Sequence, residues 1–228
     1  MSGAGTGSQL HPEVAEQLAG LRPRADRPLI VTDADEVLFL FMRGFETFLR
    51  QNGFYFDWVS YALVGNIRRT HDESPAGADE ARGLLGRFFE ERTETMEPVP
   101  GAADALHRLA RRADIVVLSN LPIAQRAARS RALARAGMDF PLIANQGMKG
   151  AAVRHLAEGI AAPVFFIDDI PHHHASVRKH AEHVQRLHFI ADARLAGLLG
   201  PSEDCHHRAE LWPDAFAWID GHLVRAGY

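Results

Sequence analysis

A chain of 228 residues, 46% hydrophobic and 24% charged, is long enough for one packed domain with a modest insertion. Its net charge of −4 offers no basic surface for nucleic acid, and its one cysteine, Cys205, excludes an internal disulfide framework and fits a reducing compartment. No stretch reaches the roughly 18 uncharged apolar residues of a membrane span, and residues 1–8 are Gly/Ser-rich without an apolar signal core, so a cytoplasmic protein is expected, with no membrane or nucleic-acid partner.

In chain order, residues 1–10 read as disordered, and Val14, Leu18 and Leu21 mark a short surface helix over 11–21. Pro23 and Pro28 break the chain before a buried strand, Leu29 to Val31, which runs into two carboxylates, Asp33 and Asp35. The texture then changes. Phe41, Phe45, Phe48 and Leu49 have helical spacing over 40–52, and Asn52-Gly53 stops that helix. Residues 54–66 read as aromatic-rich and helical in their second half. A long helix over 78–96 turns Leu84, Leu85, Phe88 and Phe89 inward. Eight of the thirteen phenylalanines fall between residues 39 and 97, and none of that block reads as strand. A small all-helical subdomain is expected over 38–97.

Pro98-Val99-Pro100-Gly101 ends it, and helices and strands then alternate. Helices are expected at 102–112, 123–136 (rich in Arg), 150–158 and 172–182, with strands at 115–118, 140–144, 164–167 and 184–190. This alternation predicts an α/β fold with a Rossmann-like three-layer core: a parallel sheet covered by helices on both faces, over residues 24–37 and 98–200. Residues 201–228, with Trp212 and Trp218, are expected to form a helical tail on that core.

Four strand ends or helix starts carry polar groups: Asp33 with Asp35, Ser119, Lys149, and Asp168 with Asp169. In a parallel sheet all strand carboxyl ends share one edge, so these groups can converge. Asp33, Asp168 and Asp169 are too many negative charges to sit together unpaired. A hard divalent cation such as Mg²⁺ resolves this, because it takes carboxylate oxygens and bridges to phosphate. Lys149, the Ser119 hydroxyl and the backbone N–H of Asn120 then suit a phosphoryl group. Only two of the 25 basic residues are lysines, Lys149 and Lys179, which suggests that position 149 needs a compact ammonium.

The ordered set resembles the four motifs of the haloacid dehalogenase-like (HAD) hydrolases over residues 28–200. Motif I is Asp33-Ala34-Asp35-Glu36-Val37, motif II Val117-Leu118-Ser119-Asn120, motif III Lys149-Gly150 and motif IV Ile167-Asp168-Asp169. The insertion between motifs I and II sits where that family carries a helical C1 cap. The resemblance implies Asp33 as nucleophile and Asp35 as acid and base. It also implies Mg²⁺ held by Asp33, Asp168, Asp169 and the Asp35 carbonyl, and a phosphoryl group held by Ser119, Asn120 and Lys149. The implied activity is hydrolysis of a small phosphorylated metabolite. The chain departs from many relatives after motif IV, with Ile170-Pro171-His172.

Within that family, Asp35 argues against dehalogenation, and the absence of lysine from 38–97 argues against phosphonate cleavage. A phosphomutase shares Asp33 and Asp35, and a catalytically silent binding protein is the alternative of a different class. Arg43, Arg50, Arg68, Arg69 and His71 are the candidates for a substrate's second anionic group, and the Phe-rich faces read as cap core. His172, His173, His174, His180 and His183, with His206 and His207, lack a repeated ligand spacing and read as solvated. His172, next to motif IV, is the one expected at the site.

Overall fold

The computed structural model describes residues 10–228, so the expected disorder of residues 1–10 falls almost wholly outside the described residues. A six-stranded, all-parallel sheet is built from β1 (Leu29–Thr32), β4 (Asp114–Asn120), β5 (Leu142–Asn145), β6 (Val164–Asp168), β7 (Gln185–Phe189) and β8 (His207–Ala209), in the order β5-β4-β1-β6-β7-β8. The chain steps from β1 to β4 and β5 on one side, then returns to β6 on the other. That reversal at β1 opens a crevice at the carboxyl ends of the strands.

Alternating side chains divide the core between the two faces of the sheet. Leu29, Val31, Val116, Leu118, Val164 and Phe166 pack against α1 (Pro12–Ala19), α6 (Gly150–Ala157) and α7 (Pro171–His180). Ile30, Ile115, Val117, Phe165 and Ile167 face the other way, toward α4 (Ala102–Ala110), α5 (Arg126–Arg135) and α9 (Trp212–Arg225). Burial on both faces explains why the strands are nearly continuous apolar runs.

The insertion contains α2 (Phe41–Gln51) and α3 (Ala78–Arg92), whose Phe45, Phe48 and Phe88 interlock with ring centroids 5.2–6.5 Å apart. It is not all helical. β2 (Phe54–Phe56) and β3 (Ile67–Arg69) form an antiparallel hairpin separate from the main sheet. Nor is the segment between them helical. Asn66 Nδ2 donates to the carbonyls of Ser60 and Ala62, both at 2.8 Å, and holds it as a loop. Three-residue strands carry too little alternation to be read against an aromatic background. Both ends of the insertion meet at one place. Leu40 N donates to Glu97 O at 2.9 Å, Val99 N donates to Leu38 O at 2.8 Å, and Phe39 bridges to Pro98.

The tail also differs from expectation, because β8 joins the sheet as its edge strand before α9 begins. Trp212 is fully buried and its indole donates to Val37 O at 2.9 Å, which ties the tail to the turn after β1. A short helix, α8 (Ala193–Leu198), precedes it, capped by Asp192 Oδ1, which accepts from Arg194 N at 2.8 Å.

Helices α6 and α7 pack so closely that their crossing depends on Gly150. A Cβ there would collide with the Ser176 carbonyl and hydroxyl and lie 2.6 Å from His180 Nδ1. Gly150→Ala is therefore expected to lower the denaturation free energy by about 1–3 kcal/mol, as overpacking does. Gly86→Ala, on α3 with nothing within 4 Å of the added methyl, should instead gain roughly 0.5–1 kcal/mol. Urea midpoints of the two variants check both signs.

Candidate functional site

The site lies at the carboxyl edge of β1, β4 and β6. Strand register does most of the positioning: Thr32 pairs with Ile167, so Asp33 and Asp168 emerge side by side, and Asp33 N donates to Ile167 O at 2.8 Å. The chain then turns sharply. Leu38 N and Phe39 N both donate to Ala34 O, at 2.8 and 2.9 Å, and Glu36 takes the left-handed conformation with φ +57°. A non-glycine residue in that region is held there by its surroundings. Glu36 Oε1 accepts from Met42 N at 2.6 Å, and Oε2 from Asp192 N at 3.0 Å. The buried carboxylate thus fastens the start of α2 and the cap of α8 to the turn.

Lys149, immediately before α6, is completely buried. Its ammonium lies 2.7 Å from Asp33 Oδ1 and 2.6 Å from Asp168 Oδ2. Asp168 Oδ1 accepts from Ile170 N at 2.9 Å. One carboxylate oxygen from each of Asp33, Asp168 and Asp169 lies within 4.8 Å of the other two. Once ionised, the three carboxylates exceed the charge of one ammonium, and the donors are all hard oxygens, as a divalent cation requires. Burial pushes the Asp33 carboxyl up to about 7, the charges of Asp168 and Asp35 push the same way, and Lys149 opposes them. Burial, Asp168 and Asp33 hold Asp169 well above the carboxylate range. Asp168 is also buried, but Lys149 outweighs that and holds it low. Burial works against the Lys149 ammonium as well, yet Asp168 and Asp33 raise it above its ordinary value. Burial likewise lifts Glu36, to about 7.

The Ser119 hydroxyl, at the end of β4, is buried with no protein partner. Beside it, Asn120 Oδ1 accepts from Asn145 Nδ2 at 2.6 Å, and Asn120 Nδ2 donates to Gly147 O at 2.9 Å. Asp33, Asp35, Asn120, Lys149 and Asp169 line one cavity of about 230 Å³. Ser119 and Asp168, each next in sequence to a lining residue, are fully buried.

Other expected site residues stand elsewhere. Arg43 pairs with Glu97 at 2.8 Å and Arg68 with Asp57 at 2.6 Å. Arg69 pairs with Glu80, and His71 lies 3.3 Å from Asp72. None of these four, nor the exposed Arg50, lines the cavity. His172 is exposed on the outer side of α7, and His173 lines the cavity in its place. The histidines are not all solvated either. His173, His174 and His188 are buried. His174 Nε2 donates to Asp168 O at 2.9 Å, and His188 Nε2 donates to Asp169 O at 2.8 Å. Burial pushes His173 and His174 down to about 4, so both are neutral near pH 7.

Sequence reasoning also missed Arg129. It is fully buried on α5, stacks over Phe39 at 5.0 Å, and donates from Nη2 to Asp35 Oδ1 at 2.7 Å. Its Nε and Nη1 have no protein partner. This bond fixes the rotamer of Asp35 at the cavity wall.

No protein-family model matches the sequence. No curated protein matches it. Solved structures do. A haloacid dehalogenase-like hydrolase from Streptococcus pneumoniae aligns with a TM-score of 0.58 at 11% identity, over 86% of this chain and 99% of its own. A HAD family hydrolase from Deinococcus radiodurans with bound phosphate and sodium gives 0.57 at 15% identity, over 87% and 97%. A HAD-hydrolase from Bacillus subtilis bound to magnesium gives 0.55 at 14% identity, over 86% and 99%. At these identities the likeness is one of fold.

The raised Asp33 carboxyl makes a signed prediction for the cation-free protein. A carboxyl lifted from about 4 to about 7 adds stability that is complete below pH 4 and is lost as pH rises through 7. The depressed His173 and His174 act oppositely, adding stability above pH 6.5 that is lost as pH falls toward 4. Comparing Asp33→Asn with wild type cancels the histidines. With EDTA present, the melting temperature of Asp33→Asn minus that of wild type should grow from pH 5 to pH 7.5 and then level. A difference that shrinks with pH would contradict the assignment.

Proposed function

We propose that this chain, whose fold is that of the haloacid dehalogenase-like hydrolases, is a Mg²⁺-dependent phosphomonoester hydrolase. It acts on a small phosphorylated metabolite through an aspartyl-phosphate, with residues 38–97 as its cap. One observation carries the reading: a buried ammonium spans Asp33 and Asp168 inside a cluster of three carboxylates. The fold neighbours with bound phosphate and bound magnesium support it.

Asp33, Asp168 and Asp169, with the carbonyl of Asp35, are the oxygen donors that would hold Mg²⁺. When bound, the cation neutralises charge on the phosphoryl oxygens. The chain's own groups do the rest. Asp33 attacks phosphorus; its O–P bond forms as the bond to the ester oxygen breaks. Lys149 orients Asp33 and donates to a phosphoryl oxygen, and the unpartnered Ser119 hydroxyl is free to donate to another. Asp35 gives its proton to the departing oxygen, then takes one from the water that cleaves the aspartyl-phosphate. Arg129 holds Asp35 in the orientation both transfers need.

Turnover of a phosphoester panel should vanish with EDTA and return with Mg²⁺; an EDTA-insensitive rate would overturn the metal assignment. Asp35→Asn should lower kcat by roughly 10²–10⁴-fold, the usual share of proton transfer, while an activated ester still loads phosphate onto Asp33. Peptide mapping that finds the phosphate on another residue would refute the roles given to the two aspartates.

Lys149→Arg should not be conservative. The planar guanidinium cannot occupy a point between two carboxylates that a compact ammonium reaches at 2.6 and 2.7 Å. Displacement of about 1 Å costs roughly 10²-fold in rate. Lys179→Arg, on the exposed side of α7, is the control and should keep wild-type kcat/KM. Equal activity in the two variants would remove Lys149 from the site.

A further inference from the structure

We infer that the cavity above the carboxylates takes phosphomonoesters whose esterified group is small and apolar, an aryl or short alkyl ester rather than a sugar, nucleotide or acidic metabolite. This rests on the phosphatase reading and goes beyond it to the substrate class. The cavity has two unlike halves. Its floor holds the charged residues already described. Its other walls are Phe41 and Met42 at the start of α2, Leu63 from the loop after β2, Leu85 and Phe89 of α3, and Leu195 of α8.

Among the described residues lining this space, Lys149 is the one cationic side chain, and it is already shared by Asp33 and Asp168. Of the insertion's candidate arginines, Arg43, Arg68 and Arg69 are paired with carboxylates and Arg50 is exposed, and none of the four lines the cavity. Beyond Lys149 and any cation held by the aspartates, a substrate carboxylate or second phosphate would meet the acidic side chains of Asp35 and Glu36, and Arg129, bonded to Asp35, does not line the cavity. Sugar hydroxyls would fare little better. The exposed Tyr61 supplies the one hydroxyl of the lining. Both oxygens of Glu36 already accept backbone N–H groups, and both ends of the Asn120 amide are bonded within the protein. His173 adds one more polar group to the lining, but its Nε2 already meets the Asn120 amide at 3.3 Å and its free Nδ1 is buried, so hydroxyls held against phenylalanine and leucine would lose their water and gain few partners.

An apolar group meets the opposite situation, since it removes its own surface and that of the walls from water. Size agrees with the chemistry. A cavity of about 230 Å³ compares with the roughly 150 Å³ that holds one benzene ring, leaving space for a phosphoryl group beside a single ring or a chain of about six carbons.

The test uses the full chain with Mg²⁺ and non-hydrolysable phosphonates in calorimetric competition with inorganic phosphate. Along methyl-, propyl- and hexylphosphonate, Kd should fall about fourfold per added methylene while the methylenes are buried, and level beyond. Phenylphosphonate should bind tightly, and 2-carboxyethylphosphonate should bind more weakly than propylphosphonate. Leu85→Lys, which puts a cation on the half-buried α3 wall, should reverse that last order. A flat chain-length series, or wild-type protein favouring the carboxylated probe, would overturn the inference whatever the variant does. Turnover of phenyl phosphate and glycerol phosphate, measured in parallel, separates the two readings. The phosphonate slope without any turnover would sink hydrolysis and support the apolar cavity. Turnover with a flat slope would sink the apolar cavity alone.

Discussion

The Lys149 ammonium, sealed between Asp33 and Asp168, is the constraint on which the rest of the molecule depends. Taking a single ion out of water costs several kcal/mol even after the protein relaxes, and a buried pair is tolerated only with close geometry and satisfied remaining donors and acceptors. Each partner is supplied by a different part of the chain: the end of β1, the end of β6, and the residue before α6. The parallel register brings the two carboxylates level, and the close contact of α6 with α7 at Gly150 brings the ammonium up to them. The ammonium offsets only part of the charge that the carboxylates carry once ionised.

Around this cluster stands a set of groups that act on the backbone rather than on solvent. His174 and His188 hold the carbonyls of Asp168 and Asp169, so the peptide planes that aim the two carboxylates are fixed by neutral donors that add no charge. Glu36 performs a comparable task at the other aspartate pair, with its carboxylate pinning two chain segments to the turn that displays Asp35. The cluster is pre-organised by hydrogen bonds that lie outside it.

Much of this could be read from the sequence, for a physical reason. Strands buried on both faces are apolar runs, and a polar residue at the end of such a run stands out, which is why Asp33, Ser119 and Asp168 were recognisable. Lys149 stood out because arginine is so common elsewhere. Arg129 was hidden for the same reason, one arginine among several on an Arg-rich helix, separated from its neighbours only by the helix face that turns inward. The buried histidines share a segment with exposed ones, and only the packing of α7 on the sheet tells His173 and His174 from His172. Strands β2, β3 and β8 are too short to show a period. The cationic residues of the insertion were assigned by charge, but acidic neighbours, close in the chain or brought near by folding, claim Arg43, Arg68, Arg69 and His71 first, and Arg50 is turned to the exposed surface.

The paired ends of the insertion carry a further meaning. Because Leu40 meets Glu97 and Leu38 meets Val99, the sheet holds the whole excursion at a single stem. Whatever lies between those residues can lengthen, shorten or be exchanged with little disturbance to the strands that carry the aspartates, since closing a longer loop between fixed ends adds only slowly to the entropy cost. The aspartate cluster thus stands outside the stem, whereas Phe41, Met42, Leu63, Leu85 and Phe89 of the cavity wall stand inside it. A change made inside the stem can therefore reshape much of the cavity wall while Asp33, Asp168 and Asp169 stay where the sheet puts them.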